Sequence, residues 1–318
     1  MSEKLINSVS GKLSTEKLGT TLMHEHVVSA NWNMRQCYKD WFNRDEFLDF
    51  AETDLKRTLE VGVNTIVDVT PVCLGRDTGI VAEVAKRTGM QIIAATGFFF
   101  TENQWLYNRS VESILHWMMT DIEQGLDGTG ILPGIIKCCT DLAGVTPINE
   151  RLLTASAIAA SESGLPVTTH STYINRCAFD QLRIFEKYHI PMDKVIIGHC
   201  GDVNDLDYLE EILRNGCYIG LDRFGDDAKN PLENRVDTLI KLCDRGWLKQ
   251  LMISHDYVSF VDIGPFEWRN KRNTDPDDVP YNYRYIHKYA LPLLRRRGFS
   301  EENITQLLIG NPRTYFET

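Results

Sequence analysis

The sequence predicts an α/β fold, and within that class a (β/α)₈ barrel formed by a single domain over residues 1–318. Two features support this prediction. Eight short apolar runs recur along the chain with helical stretches between them, which is the order of elements in a parallel α/β sheet. Most of these runs are apolar throughout, as expected for strands that are covered on both faces. A chain of 318 residues forms a single core only in a large architecture of this kind.

The predicted strands are placed where these apolar runs lie. We assign them to residues 20–26, 65–70, 91–97, 134–138, 166–170, 195–200, 217–222 and 251–256. Between them, residues 45–61 and 149–163 are predicted helices. The main alternative is a doubly wound open sheet, which usually carries a glycine-rich nucleotide-binding turn after a strand. The nearest candidate, Gly128-Thr129-Gly130, precedes a predicted strand, and we interpret it as a loop.

The segment after the last predicted strand has a different composition. Residues 257–282 are rich in Asp, Asn, Pro and aromatic residues and lack strong periodicity, which favours a lid or a binding loop over a plain surface excursion. Residues 283–297 and 300–309 are predicted as two closing helices. Ser300 is predicted to cap the second of these helices, and Asn311-Pro312 is predicted to end it.

The composition excludes several classes of protein. The chain carries 34 Lys and Arg against 44 Asp and Glu, a formal net charge of −10, which argues against nucleic-acid binding. No apolar run reaches the roughly 18 residues that a membrane span requires. The first residues lack the apolar stretch of a signal peptide. The eight cysteines contain no C-x-x-C pair, so we expect reduced core thiols in a cytoplasmic protein.

The ends of the predicted strands carry the most informative residues. Five of the eight strands end in side chains that can bind a metal ion, namely His24, His26, Lys137, His170, His199 and Asp256. Residues two apart on a strand share a face, so His24 and His26 point to one side and Glu25 to the other. Because the carboxyl ends of barrel strands meet at one face, these side chains are expected to converge. The pattern therefore predicts a metal site.

Each of these residues also has a structural alternative. His170 or His199 could be a hydrogen-bonded core histidine, Lys137 could extend out of the barrel mouth, and Asp256 could cap a helix. A protonated lysine beside two divalent cations would be repelled, so Lys137 is expected to be neutral with a lowered pKa. A neutral amine can react with carbon dioxide to give a carbamate, whose two oxygens could bridge two metal ions.

Nine stretches carry a family resemblance, namely LGTTLMHEH, VDVTP, AATGFFF, GIIKC, TTHS, VIIGHCGD, IGLDRFG, MISHDY and IGNPRTYF. They resemble the phosphotriesterase-like lactonases of the amidohydrolase superfamily, over nearly the whole chain. The resemblance implies a hydrolase with two divalent metal ions, zinc or cobalt, manganese or iron, and a metal-bridging hydroxide as nucleophile. It also implies a homodimer.

The resemblance divides the predicted ligands between two metal ions. His24, His26 and Asp256 would hold one ion, and His170 and His199 would hold the other.

The same resemblance assigns catalytic roles. Lys137, as the carbamate, would bridge the two ions, and Asp256 would accept or transfer the proton of the hydroxide. The sequence also predicts roles for two residues that neighbour the ligands. Asp202 is predicted either to orient metal ligands or to cap a turn. His255 points to the other face of its strand, so we predict that it packs or supports rather than binds metal.

Three residues are predicted to bind the substrate. Arg223 matches an arginine that such lactonases carry after the seventh strand, although a local salt bridge is its structural alternative. Phe99 stands where these lactonases usually have tyrosine, so an aromatic wall is kept and a hydroxyl is lost. Tyr281 stands where relatives often have tryptophan, and it either lines an acyl-chain channel or packs the long loop.

The predicted function is hydrolysis of N-acyl homoserine lactones or related γ/δ-lactones, with promiscuous phosphotriesterase and esterase activity. The alternative on the same site is a phosphorylated sugar-lactone or an organophosphate triester, for which Lys271, Arg272 and Arg284 could bind phosphate. Two functions of a different class compete with hydrolysis, namely a Schiff-base aldolase built on Lys137 and a non-catalytic metal-binding protein. The expected partner is a small lactone or ester substrate, with no nucleic acid and no membrane.

Overall fold

The computed structural model describes residues 4–262, 275–279 and 281–318. Its strands are β1 (Leu5–Ser8), β2 (Gly11–Ser14), β3 (Thr20–Ser29), β4 (Val63–Asp68), β5 (Gln91–Gly97), β6 (Ile135–Cys139), β7 (Val167–His170), β8 (Val195–Ile197), β9 (Tyr218–Leu221), β10 (Leu251–Ile253) and β11 (Val258–Val261). Strands β1 and β2 form an antiparallel hairpin. The other strands of the described residues form one sheet in the order β10-β9-β8-β7-β6-β5-β4-β3-β11, and every pair in it is parallel.

Helices alternate with the strands of this sheet. They are α1 (Trp32–Cys37), α2 (Arg44–Glu60), α3 (Thr78–Thr88), α4 (Val111–Gln124), α5 (Pro147–Ser163), α6 (Ala178–Lys187), α7 (Leu206–Leu213), α8 (Leu232–Asp244), α9 (Leu291–Arg296), α10 (Glu301–Thr305) and α11 (Asn311–Glu317). Two π-helical turns, Ile286–Ala290 and Gln306–Gly310, precede α9 and α11. Side chains cap several helices, as when Asn43 accepts from the N–H of Glu46 at the start of α2.

The alternation of eight parallel strands with helices is confirmed. The strand predicted over residues 91–97 has these bounds, and the other seven are present with shifted bounds. From β3 to β10 the strands follow one another in chain order, without the reversal that a doubly wound sheet requires. Strand β11 follows β10 directly and pairs with β3. The backbone N–H of Asp256, between those two strands, donates to the carbonyl of His24 at 3.0 Å. The chain that leaves β10 therefore borders β3.

Strand β3 contains an irregularity that matters for the site. Its register against β4 pairs Leu22 with Ile66 and then Glu25 with Asp68, so β3 holds one extra residue, a β-bulge. Met23 therefore lies in an apolar cluster on the face opposite the helices. The bulge allows the next residue, His24, to face the same side.

Two apolar layers cover the sheet. The larger one lies between the strands and the crossing helices. The smaller one, here called the inner apolar cluster, consists of Ile6, Leu13, Leu18, Met23, Val67, Val69, Ile93, Ala95, Ile135, Ile196, Tyr218, Met252, Tyr315 and Phe316. Its members come from the strands, the hairpin and α11, so both ends of the described chain cover this face.

Two predictions about elements are wrong. The sequence predicts a loop over residues 257–282, yet β11 lies within them, because Val258 and Phe260 pair with His26 and Val28 of β3. Residues 263–274 and 280 of that segment lie outside the described part of the chain. Pro312 does not end the last helix, because the π-helical turn Gln306–Gly310 continues directly into α11, near whose start Pro312 lies. Ser300 caps α10 as predicted.

Most of the cysteines lie in the core, as the sequence predicts. All eight cysteines lie in the described residues as free thiols, and five of them are buried. None of the described helices is both long and apolar enough to cross a membrane. The hairpin β1–β2 was not predicted from the sequence.

Candidate metal centre

The six predicted metal ligands come together at the carboxyl ends of the strands. They lie on or directly after β3, β6, β7, β8 and β10, on the side of the sheet that carries the inner apolar cluster. Five of them are buried, and the side chain of Asp256 is 18% exposed. A cavity of about 180 Å³ opens above them, lined by His24, His26, Ser29, Leu74, Phe99, Lys137, His170, Arg223, Asp256, Val258 and Val261.

The first group of ligands joins β3 to the end of β10. Asp256 Oδ1 lies 3.1 Å from His26 Nε2 and 3.5 Å from His24 Nε2. These three ligand atoms are close enough together to hold one metal ion. Burial lowers the pKa of His24 to about 4, so this imidazole is neutral at neutral pH and its nitrogen is available as a ligand.

The second group joins His170 at the end of β7 to His199, two residues past the end of β8. His170 Nδ1 and His199 Nε2 lie 2.8 Å apart. Burial lowers the pKa of both imidazoles, that of His199 well below its usual value. Two neutral nitrogens therefore face each other across a gap that a metal ion would have to open.

Lys137 lies next to the first group. Its Nζ is 2.9 Å from His24 Nε2 and donates to the carbonyl of Thr169 at 3.4 Å. The side chain is 1% exposed, and burial lowers the pKa of its amine. The structure thus places a buried amine, rather than a solvent-directed lysine, on the floor of the cavity.

The histidine Nδ1 atoms that face away from the cavity lie against neighbouring polar side chains. His26 Nδ1 lies 2.8 Å from Thr70 Oγ1. Asp222 serves two histidines at once, because its Oδ1 accepts from His199 Nδ1 at 2.9 Å and its Oδ2 lies 2.8 Å from His24 Nδ1. Such partners fix the tautomer and the ring orientation of metal-binding histidines.

Sequence reasoning missed Asp222 as a functional residue. Its signal was present, since it is a polar residue that ends an apolar strand run, like the six predicted ligands. A second group close enough to hold a metal ion consists of His24, His199 and Asp222. We assign Asp222 to the outer side of the histidines, because its two oxygens meet their Nδ1 atoms rather than the Nε2 atoms that face the cavity.

Two ligands have unusual backbone conformations. His199 has a φ of 61° and Asp256 a φ of 58°, the left-handed region that residues other than glycine rarely adopt. Each strained residue costs of order 1–3 kcal/mol and persists only where its surroundings hold it. Both conformations occur within three residues of the end of a strand, where His199 meets His170 and Asp256 meets His26.

Arg223 is bound by carboxylates on both sides. Its Nε donates to Asp256 Oδ2 at 2.9 Å, and its Nη1 donates to Asp202 Oδ2 at 2.6 Å. Burial alone would raise the pKa of Asp256, but its interactions with His199 and Arg223 outweigh burial and hold that pKa well below its usual value. Asp202 also accepts from Arg235, so it supports arginines rather than the metal ligands.

The residues predicted to bind substrate have different positions. Phe99 lines the cavity and stands edge to face against His170, with ring centroids 5.5 Å apart. Tyr281 packs against Tyr257, with ring centroids 5.7 Å apart, and it also contacts Gly225. Tyr281 is not among the described residues that line the cavity, so the structure favours its loop-packing alternative.

One predicted phosphate ligand is wrong. Arg284 is 1% exposed and is saturated by the Asp54 carboxylate and carbonyl, the Thr58 hydroxyl, Asp277 and the carbonyl of Pro276. It joins α2 to the chain before the closing helices and cannot reach a substrate. Lys271 and Arg272 lie outside the described residues.

The donor set fits divalent metal ions. Four imidazoles and one carboxylate converge, and the outward nitrogens of His24, His26 and His199 already have partners. Borderline ligands of this kind suit zinc and its neighbours among the transition metals. Candidate metal ligands around an accessible cavity at the carboxyl ends of parallel strands are typical of a metal-dependent enzyme.

Comparison with known proteins identifies the family. The chain belongs to the phosphotriesterase family, whose model matches residues 4–316. It is 36% identical over 323 residues to a phosphotriesterase homology protein of Mycobacterium tuberculosis, covering 98% of this chain and 97% of that protein. It is 34% identical over 306 residues to an aryldialkylphosphatase of Saccharolobus solfataricus, covering 96% of each chain.

The same family is found among solved structures. The structure of the phosphotriesterase from Mycobacterium tuberculosis superposes with a TM-score of 0.90 at 35% identity, covering 99% of this chain and 98% of that one. The chain is therefore a metal-dependent hydrolase of a family that uses two metal ions. The aldolase and the non-catalytic functions are excluded.

Proposed function

We propose that this protein is a lactonase that hydrolyses N-acyl homoserine lactones or related γ/δ-lactones at its metal centre, with weaker phosphotriesterase and esterase activity. The observation that carries the proposal is the wall of the cavity above the ligands. Leu74, Phe99, Val258 and Val261 surround a space of about 180 Å³ whose floor is polar. An uncharged ring with one carbonyl matches such a site, since the ring meets apolar walls and the carbonyl meets the floor.

The charges around the cavity support an uncharged substrate. Among the described residues that line the cavity, Arg223 is the one arginine and Lys137 the one lysine. Arg223 is neutralised by Asp256 and Asp202, and burial lowers the pKa of Lys137. Neither is free to bind a phosphate monoester, which argues against a phosphorylated sugar-lactone.

An adjoining cavity supports an acylated substrate. This space of about 320 Å³ shares His170 and Arg223 with the first cavity. Leu142 and Ile174 on its rim are both 65% exposed. Exposed large aliphatic side chains beside a reaction site commonly mark contacts with an apolar part of a ligand. We propose that the acyl chain of the substrate lies here.

The protein groups have separate tasks in the reaction. Bound divalent ions would polarise the substrate carbonyl and lower the pKa of water so that hydroxide is present at neutral pH. The Asp256 carboxylate is placed to take a proton, because it lines the cavity beside His24 and His26. Arg223 Nε holds the carboxylate in place, and the apolar walls exclude bulk water from the floor.

Lys137 is proposed to carry a carboxyl group. A neutral amine attacks carbon dioxide to form a new N–C bond and releases one proton, which leaves a carbamate with two oxygens. Burial of the amine with a lowered pKa and its position 2.9 Å from His24 Nε2 support this modification. The carbamate would join the ligands of the first group to those of the second.

The remaining expectations are part of the same proposal. We propose that the sheet closes as a (β/α)₈ barrel where the chain after β10 borders β3. We also propose that residues 1–318 are one domain and that the protein is a cytoplasmic homodimer. The bound metals are proposed to be zinc, cobalt, manganese or iron.

The second candidate function is hydrolysis of an organophosphate triester. It is favoured by the relative named aryldialkylphosphatase, with 34% identity. A triester is uncharged, as the cavity requires, and its phosphoryl oxygen could replace the lactone carbonyl.

The test compares these two substrates. The protein is loaded with cobalt or zinc in bicarbonate, and kcat/KM is measured for homoserine lactones of increasing acyl length and for a dialkyl aryl phosphate. We expect lactone values above about 10⁴ M⁻¹s⁻¹, well above those of the triester, and abolished by a chelator. In Ile174→Ser, the long-chain lactone should lose efficiency while the short-chain lactone does not. A preference for the triester would overturn the lactonase proposal.

A further inference from the structure

Glu25 lies between two metal ligands but faces the other side of β3. Its carboxylate is 0% exposed. Oε1 accepts from the hydroxyl of Ser254 at 2.7 Å, from the backbone N–H of His255 at 3.0 Å and from the ring Nδ1 of His255 at 2.7 Å. Oε2 accepts from the backbone N–H of Tyr257 at 3.0 Å. These donors lie on both sides of Asp256.

The Glu25 carboxylate binds backbone N–H groups in a segment that lies between two strands. Strand β10 ends at Ile253 and β11 begins at Val258, so the chain between them is not part of a strand. Across this gap, Glu25 binds the N–H groups before and after Asp256, while the N–H of Asp256 itself donates to the carbonyl of His24. Three successive N–H groups are thereby fixed to β3.

This fixation acts on a residue with a strained backbone. Asp256 has a φ of 58°, which an aspartate keeps only when its surroundings impose it. Ser254 adds a further link, because its hydroxyl accepts from the N–H of His24 and donates to Glu25. One carboxylate thus connects the backbone of His24 with the backbone around Asp256.

His255 extends the same network to the closing helices. The backbone N–H of Ile286 can only donate, so His255 Nε2, at 3.0 Å, must be the acceptor. The proton of this neutral imidazole is therefore on Nδ1, which donates to Glu25. His255 is a supporting residue, as its orientation in the sequence predicted.

We propose that Glu25 is a positioning residue that sets the Asp256 carboxylate against His24 and His26, and so determines how tightly that group binds its metal ion. Glu25 touches neither the cavity nor the substrate, and acts through the backbone of residues 254–257. The proposal rests on the metal centre of the proposed function, but it does not depend on which substrate the centre hydrolyses.

The first test is Glu25→Gln. The amide replaces one acceptor oxygen by an NH₂ group, which then faces N–H or O–H donors, so at least one of the four hydrogen bonds is lost. Cobalt affinity is measured by competition with a chelator, without substrate, and the bound cobalt per chain is counted. We expect one of two ions to bind about 10–100-fold more weakly, the usual effect of losing a partner that orients metal ligands.

Asp54→Asn is the matched control. The Asp54 carboxylate is also 0% exposed, and it binds Arg284 and the hydroxyl of Ser259. Its connection to the ligand layer is indirect, through Ser259 and Tyr283 to the backbone carbonyl of His26. We expect this variant to lose stability in urea denaturation and to keep wild-type affinity for both ions. If Asp54→Asn loses as much cobalt affinity as Glu25→Gln, general destabilisation explains the effect and the proposal is overturned.

If Glu25→Gln does not fold, Ser254→Ala is the variant that tests the positioning role of Glu25. It removes one donor to Glu25 and the acceptor of the His24 N–H. We expect a smaller loss of cobalt affinity, about two- to tenfold, at the same single site, and restoration of affinity in Ser254→Thr, which keeps the hydroxyl. Wild-type affinity in Ser254→Ala would overturn the proposal. Since no substrate is present, failure of the lactone assignment cannot produce any of these results.

Discussion

The same face of the sheet carries two layers of opposite character. On four strands an apolar residue of the inner apolar cluster precedes a predicted metal ligand, namely Met23 before His24, Ile135 before Lys137, Ile196 before His199 and Met252 before Asp256. The apolar layer gains free energy on burial, about 25 cal/mol per Å². The ligand layer buries polar groups, which costs free energy unless each finds a partner.

The contrast between the apolar layer and the ligand layer indicates that different residues determine stability and activity. The inner apolar cluster fastens the hairpin and α11 to the strands, so its residues should determine the free energy of unfolding. The ligand layer has its partners arranged for metal ions, so its residues should determine metal binding and turnover. Substitutions in the two layers test this separation.

The largest effect is expected for Asp256→Asn in the ligand layer. The amide cannot accept a proton as the carboxylate does, so kcat/KM for the lactone should fall by about 10²–10⁴-fold. Urea denaturation should show an almost unchanged midpoint, because the apolar layer is untouched. Activity within tenfold of wild type would show that Asp256 does not accept the proton.

The next largest effect is expected for Met252→Ala in the apolar layer. Met252 is 1% exposed, and shortening it leaves a cavity against its neighbours in the inner apolar cluster. The free energy of unfolding should fall by about 2–5 kcal/mol. At 25 °C, kcat/KM of the folded enzyme should change less than threefold. A large loss of turnover with unchanged stability would contradict the separation of layers.

Asp222→Asn sharpens the comparison within the ligand layer. Asp222 contacts His24 of one group and His199 of the other, so both metal ions should bind about 10–100-fold more weakly. Glu25→Gln, in contrast, should weaken only one. Asp202→Asn is the matched control, because that carboxylate binds arginines and is linked to Asp256 only through Arg223, so metal affinity should change less than in Asp222→Asn. Chelator competition measures all three variants.

The smallest effect is expected for Phe99→Tyr at the cavity wall. The ring already stands against His170, and the substitution adds one hydroxyl without changing the aromatic wall. Lactone kcat/KM should rise by less than tenfold, and cobalt content should stay the same. Phe99→Leu should lower kcat/KM by removing the aromatic contact. A loss of metal from Phe99→Tyr would show that the position supports the ligands rather than the substrate.

The strands and the ligands were predictable for one reason. An apolar run that ends in His, Lys or Asp is unusual, because burying such a group without a partner is costly. His199 after residues 195–198 and Lys137 after residues 135–136 show this signal clearly. The alternation of runs and helices then predicted that all these ends meet at one face.

The errors have physical reasons as well. Strand β11 has four residues, and what makes it a strand is its pairing with β3, a contact distant in sequence. Pro312 signals a helix end in isolation, yet a π-helical turn before it allows α11 to continue. The charge of Arg284 suggested that it binds phosphate. The carboxylate that it binds instead, Asp54, lies 230 residues away in the sequence, so no local pattern shows the pair.

The sequence by itself determined which side chains can bind metal and on which face they lie, because strand periodicity and the composition of each run are local properties. Only the tertiary structure decided what holds those side chains in place. Asp222 joins two histidines from different strands, and Glu25 fixes the chain around Asp256 from the opposite face of β3. These contacts depend on distances of about 3 Å between segments far apart in the chain, a relation that no local pattern contains.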